Sequence, residues 1–188
     1  MDEGYFELEG YGVKLKRLTH DKIEMIRQWR NDPKISQYMF YREYITPEMQ
    51  EKWFANLDKK CNYYFIIEYD GKEVGLINIK DIDWEKRCGE SGIFIYDDKL
   101  LGSDIAYRSH LLLFDAAYNH FGLEYTYSHI QPENNQAIRF SVFLGALKDE
   151  VNSTDKVSMY YITKENYLSN KNRIRFLNKW NAFNKLNI

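Results

Sequence analysis

The segment Pro132-Glu133-Asn134-Asn135-Gln136-Ala137-Ile138-Arg139-Phe140, closed by Leu144-Gly145, decides the fold of this chain. Its polar, proline-containing start predicts the entry to a helix, and Gly145 predicts where that helix ends. The residues just before it, Tyr125–Ile130, are rich in β-formers and predict a strand. We therefore expect a strand, a short polar loop and a helix in succession.

The region upstream has the same alternation. Residues 90–96 predict a strand, and Gly102-Ser103-Asp104 opens a helix that runs to about Phe121 and ends at Gly122. A strand–helix–strand–helix order set among antiparallel strands is typical of a mixed sheet with helices on its faces.

The remaining segments predict further strands and two short helices. The strands are expected at residues 13–17, 63–69, 74–79, 146–150 and 156–163. One helix follows Thr19, and a second begins at Thr46-Pro47 with Met49, Trp53 and Leu57 on its inner face. The expected class is α/β (α+β), with a mixed, mostly antiparallel seven-stranded sheet and helices on both faces.

Composition limits the classes of function. The chain has 188 residues, 44% of them hydrophobic, and a formal net charge of −2. No basic field favours nucleic acid, and no run approaches the roughly 20 apolar residues of a membrane span. The acidic start lacks the features of a secretory leader, and two cysteines make no disulfide framework. We expect a cytoplasmic protein with one domain (residues 1–165) and a basic aromatic tail (residues 166–188) that packs on the domain or on a second copy in a homodimer.

The turn before the central helix has the chemistry of an anion site. The first-turn amides of a helix lack intrahelical partners, and the helix dipole adds positive potential there. A pyrophosphate can bind to such amides, and Gly102 permits close approach because it has no Cβ. By itself, one glycine before a helix more often marks a turn.

The downstream motif adds specificity to this site. Phe121-Gly122-Leu123, the following strand, the segment from Pro132 to Phe140 and Leu144-Gly145 together resemble the C-terminal half of the GNAT acyltransferases. The resemblance runs over residues 13–162. It implies the GNAT fold, with acetyl-CoA bound in a splay between the fourth and fifth predicted strands (residues 90–96 and Tyr125–Ile130).

The resemblance also implies the cofactor-binding residues. Pyrophosphate would lie on the loop and helix start, and the pantetheine arm would pair with the fourth strand and lie near a family asparagine. The implied residues are Lys99, Gly102, Ser103, Asp104, Ile105 and Ala106 for pyrophosphate, and Ile93, Phe94, Ile95 and Asn134 for pantetheine.

Two residues depart from the family pattern. Asp104 stands where the phosphate loop usually has a second small residue, and an acid there is unfavourable unless it points away from the pyrophosphate. Ser141 stands where many members have the tyrosine that protonates the leaving thiolate, and a serine hydroxyl is a much poorer acid.

N-acetyl transfer needs a base because an amine is mostly protonated at neutral pH. Glu90, early on the fourth strand, is the first candidate, acting directly or through water; an exposed strand carboxylate is an equal alternative. His129 has a pKa range suited to proton transfer, although a structural histidine is also expected there.

The N-terminal half is expected to select the acceptor, a small-molecule amine. Trp29-Arg30-Asn31-Asp32-Pro33 and the aromatic stretch that follows resemble the ribosomal-protein N-terminal acetyltransferase branch, and still more the nucleotide-linked aminosugar acetyltransferases of pseudaminic acid biosynthesis. The expected substrate-binding residues are Arg30, Tyr38, Met39, Tyr41 and Arg42, by ion pairing and stacking. Two alternatives stay open: a protein N-terminal acetyltransferase, and a catalytically weak acyl-CoA-binding module. No metal ligands are expected.

Overall fold

A computed structural model describes residues 7–186, and its centre is one mixed sheet of eight strands in the order β1-β2-β3-β4-β5-β6-β8-β7. The acidic start of the chain and the last two residues of the predicted tail lie outside the described part. The strands are β1 (Glu7–Gly10), β2 (Val13–Arg17), β3 (Tyr63–Tyr69), β4 (Lys72–Asp83), β5 (Cys88–Ile95), β6 (Tyr125–Ile130), β7 (Leu147–Asp149) and β8 (Ser158–Thr163).

Seven α-helices in the described part of the chain connect and cover the strands. They are α1 (Ile23–Asn31), α2 (Pro33–Ser36), α3 (Pro47–Ala55), α4 (Ile105–Asn119), α5 (Asn135–Leu144), α6 (Lys164–Ser169) and α7 (Lys171–Leu186). Within residues 7–186, none of them combines the length and apolar character that a membrane crossing requires.

The predicted mixed sheet with helices on both faces is confirmed, and strand alternation explains it. Phe65 and Ile67 of β3 are buried in the core under α4, whereas Ile66 between them is buried in a smaller core under α1. Successive side chains of a strand point to opposite faces. Such a strand is therefore apolar on both sides, and each face needs its own helix.

The sheet has one strand more than the seven expected. β1 pairs with β2 across a turn at Tyr11 and Gly12, both of which have positive φ angles of 54° and 70°. A tight hairpin turn of this kind usually has Asn-Gly or Asp-Gly. The tyrosine at the first position and the single apolar residue, Leu8, within β1 leave little signal in the sequence.

The inner face of α3 also differs from the expectation. Met49 is 42% exposed, whereas Gln50 is buried and only 6% exposed. Leu57 lies beyond the end of the helix at Ala55. Trp53 does pack inward, against Tyr64 of β3 at 5.1 Å between ring centroids.

The two C-terminal helices lie against the N-terminal hairpin and α4. Asp115 of α4 accepts hydrogen bonds from the hydroxyls of Tyr11 and Tyr167 and pairs with Arg173 of α7. This partly buried carboxylate, with several donors, links three segments that are distant in sequence. The boundary expected at residue 165 falls inside α6, and the division into domain and tail stays a prediction.

Candidate active site

The central parallel strands, β5 and β6, separate soon after they meet. Their register contains three residue pairs, the last joining Glu90 to Tyr127, and no later pair joins them in the described chain. Ser128 Oγ donates a hydrogen bond to the Ser91 carbonyl at 2.8 Å, at the point where strand pairing stops. The predicted splay is therefore confirmed.

The end of β5 has one unpaired edge. Ile93, Phe94 and Ile95 pair with β4, and their other edge faces the splay. Backbone amide and carbonyl groups need hydrogen-bond partners. A ligand with its own amide groups can supply them by lying along this edge as an added strand.

The predicted anion loop leads directly from this strand to α4. Gly102 has φ of +79°, and a side chain built on it meets no atom within 4 Å. Ser103 Oγ accepts a hydrogen bond from the Ile105 amide at 3.3 Å, and Lys99 is exposed. Asp104 occupies the N-cap position without capping the helix. The first-turn amides of α4, including that of Ala106, therefore have no side-chain cap from Asp104.

Glu90 lies at the base of the splay within a group of charges. Its Oε2 is 2.8 Å from Lys80 Nζ and 3.3 Å from His129 Nδ1, and its side chain is 19% exposed. Burial alone would lower the pKa of Lys80, but hydrogen bonds to Asp81 and Glu90 outweigh it and raise that pKa. Two of the predicted catalytic residues, Glu90 and His129, are thus in contact, beside a lysine that stays charged.

Ser141 lies on the other face of the sheet. It lines a polar cavity of about 20 Å³ together with Ser91, Ser128 and His110. Glu90 and Ser91 are successive residues of one strand, so their side chains point to opposite faces. Any group bound in the splay would have Glu90 and His129 on one side and Ser141 on the other.

Arg30 on α1 is a partly buried guanidinium without a counter-ion. Its Nε is buried and has no hydrogen-bond partner, and no ion pair to Arg30 occurs within residues 7–186. Burial lowers its pKa, and the charge of the Tyr64 hydroxyl offsets this only in part. Tyr64 in turn lies close enough to Lys80 and Glu90 for their charges to affect its pKa, which burial raises. The charges of Arg30 and Glu90 therefore both act on Tyr64.

The aromatic stretch after α2 lies at the surface. Tyr38 and Tyr41 are 48% and 45% exposed. Arg42, which we expected to bind substrate, donates to Gln131 Oε1 at 2.7 Å and lies 3.5 Å from Glu133 Oε1. Gln131 also donates to the Met39 carbonyl. Arg42 therefore ties this stretch to the loop before α5 and already has anionic and polar partners.

Asn134 has a local structural role in addition to its expected one. Its Oδ1 accepts a hydrogen bond from the Ala137 amide at 3.1 Å and caps α5. Gly145, with φ of +101°, ends the same helix. In the described residues, no group of three or more His, Cys, Asp and Glu side chains is placed to hold a metal ion.

A comparison with family models matches residues 13–146 to the acetyltransferase (GNAT) domain. This match covers well over half of the chain. The chain belongs to the GNAT family. It is therefore an acetyltransferase, and acetyl-CoA is the cofactor of this family.

Two curated relatives are similar to this GNAT protein. Spermidine N(1)-acetyltransferase of Escherichia coli K12 is 25% identical over 136 residues, which cover 72% of this chain and 73% of the relative. Acetyltransferase PseH of Campylobacter jejuni is 33% identical over 90 residues, which cover 46% of this chain and 55% of the relative. The ribosomal-protein branch is not among these relatives.

Two solved structures share the GNAT fold. Spermidine N-acetyltransferase of Vibrio cholerae, in complex with CoA and spermine, has a TM-score of 0.75 and 20% identity, covering 85% of this chain and 100% of that one. FdhC, a nucleotide-linked sugar GNAT, has a TM-score of 0.76 and 22% identity, covering 92% and 98%. At this identity they support the fold alone.

The residues present fit acetyl-CoA. The pantetheine arm contains amide groups, and β5 offers it an unpaired edge. Pyrophosphate needs hydrogen-bond donors and open space. The first turn of α4 offers backbone amides as donors. Gly102 offers the space, because it has no side chain and no atom lies within 4 Å of where its Cβ would be.

Sequence reasoning missed three polar residues of this GNAT site: Lys80, Tyr64 and Arg108. Arg108 pairs with Asp104 at 2.9 Å, and their i,i+4 spacing on a helix was a usable signal. Lys80 and Tyr64 gave none. Lys80 meets Glu90 only through the pairing of β4 with β5, and Tyr64 comes near Arg30 only because α1 packs on the sheet.

His110, on the Ser141 side of the GNAT splay, is a fully buried histidine. Its Nδ1 donates to the Ala106 carbonyl at 3.1 Å, since a carbonyl can only accept. Burial lowers its pKa to about 4, only partly offset by that hydrogen bond. The folded protein therefore holds His110 neutral, while the unfolded chain binds a proton below its usual pKa of about 6.5.

This difference predicts a pH-dependent stability. Above about pH 6.5 His110 is neutral in both states. As the pH falls from there toward about 4, only the unfolded state gains the proton, so the free energy of unfolding falls by roughly 1.4 kcal/mol per pH unit from this group. Urea unfolding near pH 7 and near pH 5 should show a smaller loss for His110→Gln than for wild type. Exposed His120 is the control, and equal losses in wild type, His110→Gln and His120→Gln would contradict the prediction.

Proposed function

We propose that this GNAT protein acetylates the amino group of a small molecule that also carries an anionic group, with a nucleotide-linked aminosugar as the best match. Acetyl-CoA supplies the acetyl group as a thioester. The observation that carries the proposal is the buried Nε of Arg30, which has no hydrogen-bond partner within residues 7–186. A buried cation without a partner is costly unless an anionic ligand compensates for it.

The charges around Glu90 favour an anionic acceptor over a polyamine. Arg30 and Lys80 both carry a positive charge, and Lys80 forms ion pairs with the carboxylates of Asp81 and Glu90. Because these two carboxylates are already paired with Lys80, the charge left here without an ion-pair partner in the described chain is that of Arg30, which would repel a polycation such as spermidine. A diphosphate or carboxylate would instead form charge-assisted hydrogen bonds with the Arg30 fork.

The similar proteins include enzymes of both acceptor classes: a spermidine N(1)-acetyltransferase and FdhC, a nucleotide-linked sugar GNAT. Exposed Tyr38 and Tyr41 offer aromatic faces to a base or a sugar, and Met39 lies between them in sequence. Arg42 contributes by holding this stretch in place through Gln131 rather than by binding phosphate.

In the proposed mechanism Glu90 prepares the acceptor amine. Its carboxylate accepts a proton from the ammonium, directly or through His129, whose Nδ1 is 3.3 Å away. A backbone amide at the open edge of β5 donates to the thioester oxygen. When the nitrogen bonds to the acetyl carbon and the carbon–sulfur bond breaks, the nitrogen loses a second proton. On the opposite face, the cavity at Ser141 has room for one water molecule, which can relay that proton to the departing sulfur.

We assign the cofactor-binding roles to the residues expected from the sequence. The amides of Gly102 and Ala106 bind pyrophosphate, and those of Ser103 and Ile105 join them by exchanging their bonds to the Leu100 carbonyl and Ser103 Oγ. Exposed Lys99 adds positive charge. Ile93, Phe94 and Ile95 pair with pantetheine, and Asn134 shapes the loop beside it while capping α5. A homodimer and a cytoplasmic location stay predictions.

The test compares the rates with four acceptors and measures the effect of removing the positive charge of Arg30. Initial rates of thiol release would be measured with a UDP-linked 4-aminosugar, the same aminosugar without its nucleotide, spermidine and an N-terminal peptide. Arg30→Gln should raise KM for the nucleotide-linked acceptor roughly 10- to 100-fold with little change in kcat, because a charge-assisted hydrogen bond contributes about 1.5–3 kcal/mol. Its KM for the free aminosugar should not change.

Exposed Lys52 on α3 supplies the matched control, since Lys52→Gln removes the same charge from the same half of the chain. Spermidine as the best acceptor, with unchanged KM in Arg30→Gln, would reject the anionic acceptor. Preference for the peptide would favour a protein N-terminal acetyltransferase. Cofactor binding without turnover of any amine would favour the acyl-CoA-binding module.

A further inference from the structure

Asp104 stands at the start of α4 and does not act as its cap. An aspartate at the N-cap position normally accepts hydrogen bonds from the first-turn amides. Here the side chain makes no capping bond, and its Oδ2 lies 2.9 Å from Arg108 Nη2 instead. Arg108 therefore draws the carboxylate along the helix, away from the amides to which we assign the pyrophosphate.

Arg108 is itself held by the C-terminal helix. Its guanidinium carbon lies 5.2 Å from the ring centroid of Trp180 on α7, a cation–π contact. Trp180 is stacked on Phe176 at 5.8 Å between centroids and meets Tyr11 edge-on at 6.2 Å. A side chain built on Gly12 would lie 3.2 Å from Trp180 and 3.4 Å from Arg108, so there is no spare room around this contact.

The guanidinium of Arg108 is thus held by two contacts: the ion pair with Asp104 and the cation–π contact with Trp180. The side chain is only 21% exposed, and its Nε is buried and unpartnered within residues 7–186. A flexible surface arginine would pair with Asp104 only part of the time. Packing against Trp180 removes that freedom, so the pair is present before any ligand arrives.

We propose that Arg108 is a positioning residue for acetyl-CoA, which holds Asp104 off the α4 amides, and that Trp180 of α7 holds Arg108 in turn. The inference rests on the pyrophosphate assignment under Proposed function. It explains how the chain tolerates an acid in its phosphate loop. It also gives the C-terminal helix a role in cofactor affinity without contact to the cofactor.

Loss of Arg108 has two physical consequences. The Asp104 carboxylate becomes free to rotate onto the first-turn amides and compete with pyrophosphate for them. It also places an uncompensated negative charge next to a bound anion. Both consequences require Asp104, so removal of Asp104 should cancel both.

The test is a double-mutant cycle on cofactor affinity, measured by calorimetry with desulfo-CoA and wild-type, Arg108→Gln, Asp104→Ala and doubly substituted protein. Arg108→Gln should weaken binding about tenfold. Asp104→Ala should bind at least as tightly as wild type, and the double variant should recover to within about threefold of wild type. Trp180→Leu should weaken binding by less than Arg108→Gln, and this loss should also disappear when Asp104→Ala is added.

Arg175→Gln is the matched control, because Arg175 is an exposed arginine on the same C-terminal helix. A double variant that stays as weak as Arg108→Gln would overturn the inference, since Arg108 would then act on the ligand or on the fold directly. Thermal unfolding of each variant separates loss of fold from loss of binding. If Gly102→Val weakens binding and Arg108→Gln does not, only this inference fails. If neither does, the pyrophosphate assignment fails with it.

Discussion

Glu90→Gln should lower kcat about 100- to 1000-fold while leaving desulfo-CoA affinity unchanged. Glutamine keeps the size of the side chain but cannot accept a proton from an ammonium group. The contact with His129 at 3.3 Å gives a second route for the proton, so His129→Gln should have a smaller effect. Steady-state rates with the acceptor identified in the panel, and calorimetry for the cofactor, provide the two measurements.

Glu68 is the matched control for this experiment. It is also a strand carboxylate paired with a lysine, Lys16, and its side chain is 18% exposed against 19% for Glu90. Glu68→Gln removes a comparable ion pair far from the splay. Similar rate losses in the two variants would mean that Glu90 contributes only to stability, and another base would have to be sought.

Gly102→Val should weaken desulfo-CoA binding about 30-fold or more. A φ of +79° is strained for any side chain, by about 1–2 kcal/mol, and more for a β-branched one. The loop then either stays strained or changes shape, and the valine also fills space that the pyrophosphate needs. Calorimetry measures the affinity, and thermal unfolding measures the strain.

Gly71 in the turn between β3 and β4 gives an unusually close control. It has φ of +71°, and a side chain there also meets nothing within 4 Å. Gly71→Val should therefore lower stability by a similar amount and leave cofactor binding unchanged. Equal cofactor affinity in both variants would show that the Gly102 loop does not bind the pyrophosphate.

Local chemistry made much of the fold predictable. The loop–helix–glycine segment folds as expected because its signals act over a few residues: Asn134 caps α5, and Gly145 takes the left-handed conformation that ends it. The splay followed from the family resemblance. β1 was missed because its only apolar residue is Leu8 and its turn begins with a tyrosine.

The site was predictable only in part, because its charges meet over long sequence distances. Arg42 carried the right charge for a phosphate ligand, but Gln131, 89 residues away, occupies it. Arg30 was expected to bind substrate, and only the folded structure shows that its Nε is buried without a hydrogen-bond partner in the described part of the chain. No pattern in the sequence distinguishes these two arginines.

The short register between β5 and β6 also has a mechanical meaning. In the described chain, three residue pairs form the strand pairing between the two halves of the sheet, β1–β5 and β6–β8, and side chains of Ser91, Ser128, Glu90 and His129 add contacts across it. A cofactor lying between β5 and β6 would supply the backbone hydrogen bonds that these strands do not make with each other, and it would thereby connect the two halves of the sheet. Because such a cofactor binds only the folded form, the free energy of unfolding would rise with the concentration of cofactor.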